Sequence, residues 1–121
     1  MKLTQEFFNE IEKYKSYVII VEGKKDLTSL QALGFSKVYV IHKISVPIKE
    51  RILTIAQQIT KKEKVCILTD FDKKGKALYF LLKSLFQEQG VKLDSSLRGL
   101  LLKAKVSHVE GLYHLLKNNI L

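Results

Sequence analysis

The sequence predicts an α/β fold, a four-stranded parallel sheet with helices on both faces. Three observations predict it. Four short aliphatic runs lack the apolar-polar alternation of a half-exposed strand, which is how strands buried on both faces read. Segments with apolar residues at helical spacing separate these runs, and such β-α alternation gives an open parallel sheet with right-handed crossovers. The 121 residues are 46% hydrophobic and 27% charged, the balance of one folded domain and far from that of a disordered chain. Residues 1–121 are therefore expected to form a single domain, with 1–16 a lead-in helix and 17–116 the core.

The elements follow in order. Thr4 is a candidate N-cap for a first helix over 4–16, where Phe7, Ile11 and Tyr14 recur at helical intervals. "YVIIV", Tyr17 to Val21, is the first strand, and a short helix over Leu27 to Leu33, closed by Gly34, leads to the second, "VYVI", Val38 to Ile41. From Pro47 to Thr60 a helix places Ile48, Ile52, Ile55 and Ile59 on one face, with Pro47 suited to its first turn. "VCILT", Val65 to Thr69, is the third strand. A helix over Lys76 to Gln89 carries the stripe Leu78, Leu81, Leu82, Leu85 and stops at Gly90. "LLLKA", Leu100 to Ala104, reads as the fourth strand, and a last helix over Val109 to Asn118 follows Ser107 and Glu110 at capping-box spacing.

Charge and cysteine usage bound the setting. The chain has 21 Lys+Arg against 12 Asp+Glu, a net charge of +9, which favours a polyanionic partner such as nucleic acid. The single cysteine, Cys66, rules out a disulfide within the chain and suits a reducing compartment. No apolar run approaches the roughly 18 residues needed to span a bilayer, and "MKLTQEFFNEIEKY" lacks the apolar centre of an export signal. A cytoplasmic protein with no membrane partner is expected.

In open α/β sheets, ligands bind beyond the carboxyl ends of the strands, where strand order reverses. Glu22 follows the first strand, His42 and Lys43 the second, and Asp70 and Asp72 of "TDFDKKGK" the third. If the first and third strands are neighbours, Glu22, Asp70 and Asp72 converge on one crevice. Facing carboxylates repel unless a cation compensates, and hard oxygen ligands at this density are what Mg²⁺ takes. Lys24, Lys25, Lys73, Lys74 and Lys76 then flank the ion and meet phosphate oxygens. Plainer local roles stand beside these: Asp26 as an N-cap of the short helix, and Asp72 to Gly75 as a β-turn.

"VIIVEGKKDLTSL" and "VCILTDFDKKGKAL" resemble the two signature motifs of the Toprim domain. That domain is shared by topoisomerases, bacterial-type primases, certain nucleases, recombination mediators and 5S ribosomal RNA maturases. The family pattern is matched at Glu22, Gly23, Asp26, Asp70, Asp72 and Gly75, and the likeness covers about residues 17–116; the chain resembles a small stand-alone Toprim protein whose motifs are most similar to the maturase and primase types. The resemblance implies that Glu22 is the general acid or base, with a share in the metal, and that Asp70 and Asp72 hold Mg²⁺, for which Mn²⁺ can substitute. It also implies that Gly23 and Gly75 let backbone approach a phosphate, and that Lys24, Lys25, Asp26, Lys73, Lys74 and Lys76 belong to the phosphate-binding surface. Where the maturases usually have a proline between the aspartates and an arginine after the glycine, this chain has Phe71 and Lys76.

The implied function is Mg²⁺-dependent phosphodiester chemistry, as a small nuclease acting on structured RNA or DNA. The alternative is a non-catalytic nucleic-acid-binding or assembly module working with a protein partner or as a homodimer. Glu110 is a further candidate site residue, although a capping role explains it equally well. His108 and His114, six apart, miss the spacing that puts two ligands on one helix face, and Tyr113 between leucines reads as packing. An aspartate-nucleophile phosphatase would carry its Asp-x-Asp after the first strand, and no phosphate loop of the G-x-x-x-x-G-K-[ST] type is present.

Overall fold

A computed structural model describes residues 5–106, 108, 109, 111–113 and 116. Three of the predicted strands form: β1 (Val18–Val21), β2 (Lys37–Val40) and β3 (Val65–Leu68). They make a parallel sheet in the order β2-β1-β3, with Val21 opposite both Val40 and Leu68. All three strands thus end level. The first and third are neighbours, so the chain leaving each enters the same rim.

The non-alternating strand sequences follow from burial on both faces. Val18, Ile20, Val65 and Ile67 face one side and pack with Ile52 and Ile55 of α3 (Ile48–Gln58) and with Leu82 and Phe86 of α4 (Lys73–Glu88). Ile19, Val21, Cys66 and Leu68 face the other and meet Phe7 and Ile11 of α1 (Gln5–Glu12), Leu30 of α2 (Lys24–Ala32) and Leu97 and Leu101 of α5 (Ser96–Lys103). Each fully buried aliphatic side chain contributes about 1.5–3 kcal/mol relative to exposure, so a polar residue anywhere in β1 or β3 forfeits that stabilisation. Among the described residues, no helix is long and apolar enough to cross a membrane.

The fourth predicted strand is a correction. Leu100 to Ala104 does not add to the sheet; residues 96–103 form α5, and among the described residues the sheet has three strands rather than four. The reason lies just upstream. Leu93 touches the edge of β3 through a single bridge to Val65, and the Asp94 N–H donates to the Val65 carbonyl at 2.8 Å. Asp94 Oδ1 then accepts from the Ser96 N–H at 2.7 Å, which starts a helix. The Ser96 hydroxyl, helped by that backbone bond, holds the Asp94 carboxyl below its usual range. Leu97, Leu101 and Ala104 fall at i, i+4 and i+7 and are the residues buried. The apolar run had a helical period once Leu97 is counted.

Other boundaries moved less. α2 begins at Lys24 rather than Leu27 and α4 at Lys73 rather than Lys76, because the N-caps fall at Gly23 and Asp72. Pro47 is the N-cap of α3, and Gly90 takes φ +79° beyond α4, as a helix stop requires. Thr4, Ser107, Glu110, His114 and residues 117–118 of the last predicted helix lie outside the described residues; Val109, Leu112 and Leu116 are buried in the α1-side core.

Candidate metal centre

Asp70 and Asp72 sit on the short connection from β3 to α4, and two different constraints hold them. Asp72 is the N-cap of α4, its Oδ1 accepting from the Gly75 N–H at 2.7 Å. That bond satisfies a donor the helix start leaves open. Asp70 is held from across the fold, its Oδ1 accepting from the Val109 N–H at 2.9 Å. His108, one residue earlier, brings Nδ1 to 3.2 Å from Asp70 Oδ2.

One ligand atom each from Asp70, Asp72 and His108 lies within 4.8 Å of the others. Two carboxylates and an imidazole form a donor set that fits a divalent cation. The oxygens suit Mg²⁺ and Mn²⁺, and a nitrogen ligand tilts preference toward the transition metal.

Glu22 stands outside that group among the described residues. It is half-buried at the end of β1, and its Oε1 lies 3.6 Å from Nε2 of the exposed His42, which follows β2. The pairing is a consequence of register: the His42 N–H donates to the Glu22 carbonyl at 3.1 Å, extending the β1-β2 ladder past the strands proper. The strand-end acids thus have different immediate partners. Asp70 and Asp72 share a centre with His108, while Glu22 occupies the adjoining strand end with His42.

The two motif glycines have different physics. A Cβ on Gly75 would lie 2.6 Å from the Asp70 carbonyl carbon and 2.9 Å from its Cα, and closer still to its oxygen. The first turn of α4 is therefore pressed against the backbone that carries Asp70, with no room for any side chain. The buried Thr69 hydroxyl locks this contact by donating to the Gly75 carbonyl at 2.6 Å. Gly23 is extended, at φ −138°, and a Cβ there would meet only Asp26 Oδ2 at 3.9 Å. Asp26 itself receives the Gly23 N–H at 3.1 Å and so caps α2 from its third position.

Arg98 of α5 completes the frame. Its guanidinium donates to the Thr69 carbonyl at 2.6 Å and the Asp70 carbonyl at 3.3 Å, and it lies 4.4 Å from the Phe71 ring centre and 4.3 Å from that of Tyr79. Burial between the rings lowers its pKa, opposed by Tyr79 and Asp70. Arg98 thus fixes the backbone on which the aspartates ride. Lys24 and Lys25 line an open recess with Thr28 and Ser29, and Lys73, Lys74 and Lys76 are exposed along the start of α4.

Sequence reasoning missed Arg98, which stood before a supposed strand, and set His108 aside because its pairing was sought with His114. Only the C-terminal packing of Val109, Leu112 and Leu116 carries His108 to Asp70.

Comparison with known proteins agrees with this frame. A family model described as Toprim domain matches residues 17–110. A UPF0292 protein of Methanocaldococcus jannaschii is 35% identical over 82 residues, which span 66% of this chain and 60% of that one, less than two thirds of its length. A UPF0292 protein of Methanosarcina barkeri is 30% identical over 116 residues, 90% of this chain and 77% of that one. A solved structure of a protein from Aquifex aeolicus superposes with a TM-score of 0.71 at 27% identity, over 92% of this chain and 99% of that one.

Proposed function

The chain belongs to the Toprim domain family, and from that membership we propose that it performs divalent-metal-dependent phosphodiester chemistry as a small nuclease acting on structured RNA or DNA. Toprim domains bind divalent metals and associate with nucleic acids. The observation that carries the reading to this chain is the donor cluster of Asp70, Asp72 and His108 at the carboxyl end of β3, beside the strand that Glu22 follows.

Asp70, Asp72 and His108 hold the ion, Mg²⁺ or Mn²⁺, with the imidazole favouring Mn²⁺. When bound, it neutralises charge developing on the phosphoryl oxygens. The protein's own groups do the rest. Val109 and Gly75 each occupy one oxygen of their aspartate, which orients both carboxylates. Glu22 acts as general base on the attacking water or as general acid on the departing oxygen of the scissile phosphodiester, with His42 Nε2 3.6 Å from its carboxylate. Lys24, Lys25, Lys73, Lys74 and Lys76 bind phosphates on either side.

One observation favours a second reading, a nucleic-acid-binding module without cleavage: Glu22 lies apart from the donor cluster among the described residues. Incubation of the protein with a panel of RNA and DNA in Mg²⁺ or Mn²⁺, beside Glu22→Gln, separates the two. A loss of about 10²–10⁴-fold in Glu22→Gln is expected, while calorimetry finds its metal binding intact. Equal cutting by both proteins removes Glu22 from the chemistry, and binding of the nucleic acids without any cutting favours the second reading. In the same calorimetry Asp70→Asn abolishes binding, and His108→Ala weakens Mn²⁺ more than Mg²⁺.

A further inference from the structure

Beside the metal centre, α4 and α5 enclose an open groove of about 340 Å³, lined by Phe71, Lys76, Tyr79, Phe80, Arg98 and Leu102 among others. Three features give it a chemistry. It adjoins the metal ligands, because Phe71 stands between Asp70 and Asp72 and Lys76 lies on the first turn of the helix that Asp72 caps. Its walls carry exposed apolar surface: Phe80 is 65% and Leu102 58% exposed. Phe80 also lies edge-to-face with its chain neighbour Tyr79, the ring centres 5.4 Å apart. Finally, its charged lining residues, Lys76 and Arg98, are cations. Arg98 is locked between Phe71 and Tyr79 and bonded to backbone, which leaves Lys76 to reach an anion.

A planar apolar group carrying negative charge next to it complements such a groove. In nucleic acid that description fits a nucleotide whose base face is accessible, and bases within a duplex have their faces covered by stacking. We propose that this groove takes the base of an unpaired nucleotide next to the phosphodiester held at Asp70 and Asp72, with Phe80 as the stacking platform and Lys76 on the adjoining phosphate. The proposal rests on the nucleic-acid reading above and narrows the substrate to strands with an unpaired residue at the cutting site. It also gives Phe71, which occupies the position where maturase-type motifs carry proline, a task as a wall of the groove.

The test is fluorescence anisotropy with Ca²⁺ in place of Mg²⁺ or Mn²⁺, which keeps a cation at the carboxylates, and with a labelled single strand and the blunt duplex of the same sequence. Wild type, Phe80→Ala, Phe80→Trp and the double variant Lys24→Ala/Lys25→Ala are compared after circular dichroism shows all to be folded. Wild type should prefer the single strand. Phe80→Ala should lose about 5- to 150-fold in single-strand affinity, the range for one lost base stack, with duplex affinity unchanged and Phe80→Trp close to wild type. The Lys24/Lys25 variant should weaken both forms alike. A 2-aminopurine in the single strand should be quenched by wild type and not by Phe80→Ala. Equal affinity for both forms, or an unaltered Phe80→Ala, overturns the groove while leaving the nucleic-acid reading standing. Failure of every protein to bind either form overturns that reading and the groove with it. If Phe80→Ala only converts a self-associating wild type into a monomer in sedimentation, the groove is a protein interface and the proposal is wrong.

Discussion

Gly75→Ala places one methyl group where the first turn of α4 meets the backbone of Asp70. The added carbon would sit 2.6 Å from the Asp70 carbonyl carbon and 2.9 Å from Cα, distances that side-chain carbons do not sustain, and the opposing atoms are backbone with no rotamer to change. The helix start must therefore move away from β3 by roughly an ångström, an overpacking strain of about 1–3 kcal/mol. Movement also stretches the Thr69 hydroxyl bond to the Gly75 carbonyl and the Asp72 cap on the Gly75 N–H, each worth about 1 kcal/mol. Alanine's better helix propensity returns about 1 kcal/mol. A net loss of about 3 kcal/mol follows, lowering Tm by roughly 10 °C in a domain of this size. Urea unfolding at constant m measures it, with calorimetric metal titration alongside, because the same movement separates Asp70 from Asp72 and should weaken the ion. Gly23→Ala is the internal control: its backbone is extended and a Cβ there meets only Asp26 Oδ2 at 3.9 Å, so its stability should change by less than about 0.5 kcal/mol. Equal stability of the two variants would refute the close-approach account of the motif.

Two further outcomes follow from the frame around the site. Arg98→Lys should lose about 1–2 kcal/mol, and Arg98→Ala about 3, because a single ammonium cannot serve both the Thr69 and Asp70 carbonyls while stacking between two rings; urea unfolding reads both, and variants within 0.5 kcal/mol of wild type would remove Arg98 from the frame. Burial, reinforced by Asp94, raises the Cys66 thiol to about 12. The native state therefore keeps a proton that the unfolded chain releases above about pH 8.5. Its contribution is fully present below that pH and is lost progressively as pH rises toward 12. At pH 10, wild type should have lost about 2 kcal/mol more than Cys66→Val relative to pH 8, and the native thiol should resist disulfide reagents at pH 8; parallel pH profiles for the two proteins would refute this.

Legibility followed the range of the interactions involved. β1 and β3 could be read because burial on both faces demands uninterrupted aliphatic residues, and the half-buried edge strand β2 by its own short apolar run, signals carried within each segment. Asp70, Asp72 and Gly75 could be read as a unit for the same reason, since the cap and the close approach both lie within a few residues. The segment from Leu100 to Ala104 could not. A short apolar run has no preferred period by itself, and the helix was decided upstream, where Asp94 leaves the edge of β3 and caps Ser96.

The chain's local chemistry by itself determined the parallel α/β class, the strand-end placement of Glu22 and the Asp70–Asp72 pair, and the basic surroundings of both. Tertiary structure alone decided the partners of these acids. His108 and Val109 reach Asp70 from 38 and 39 positions away, Arg98 reaches the same backbone from α5, and His42 reaches Glu22 through the β1-β2 register. Each of these contacts is set by how helices settle on the two faces of the sheet or by how strands align, a packing equilibrium over the whole core that no single stretch of residues encodes.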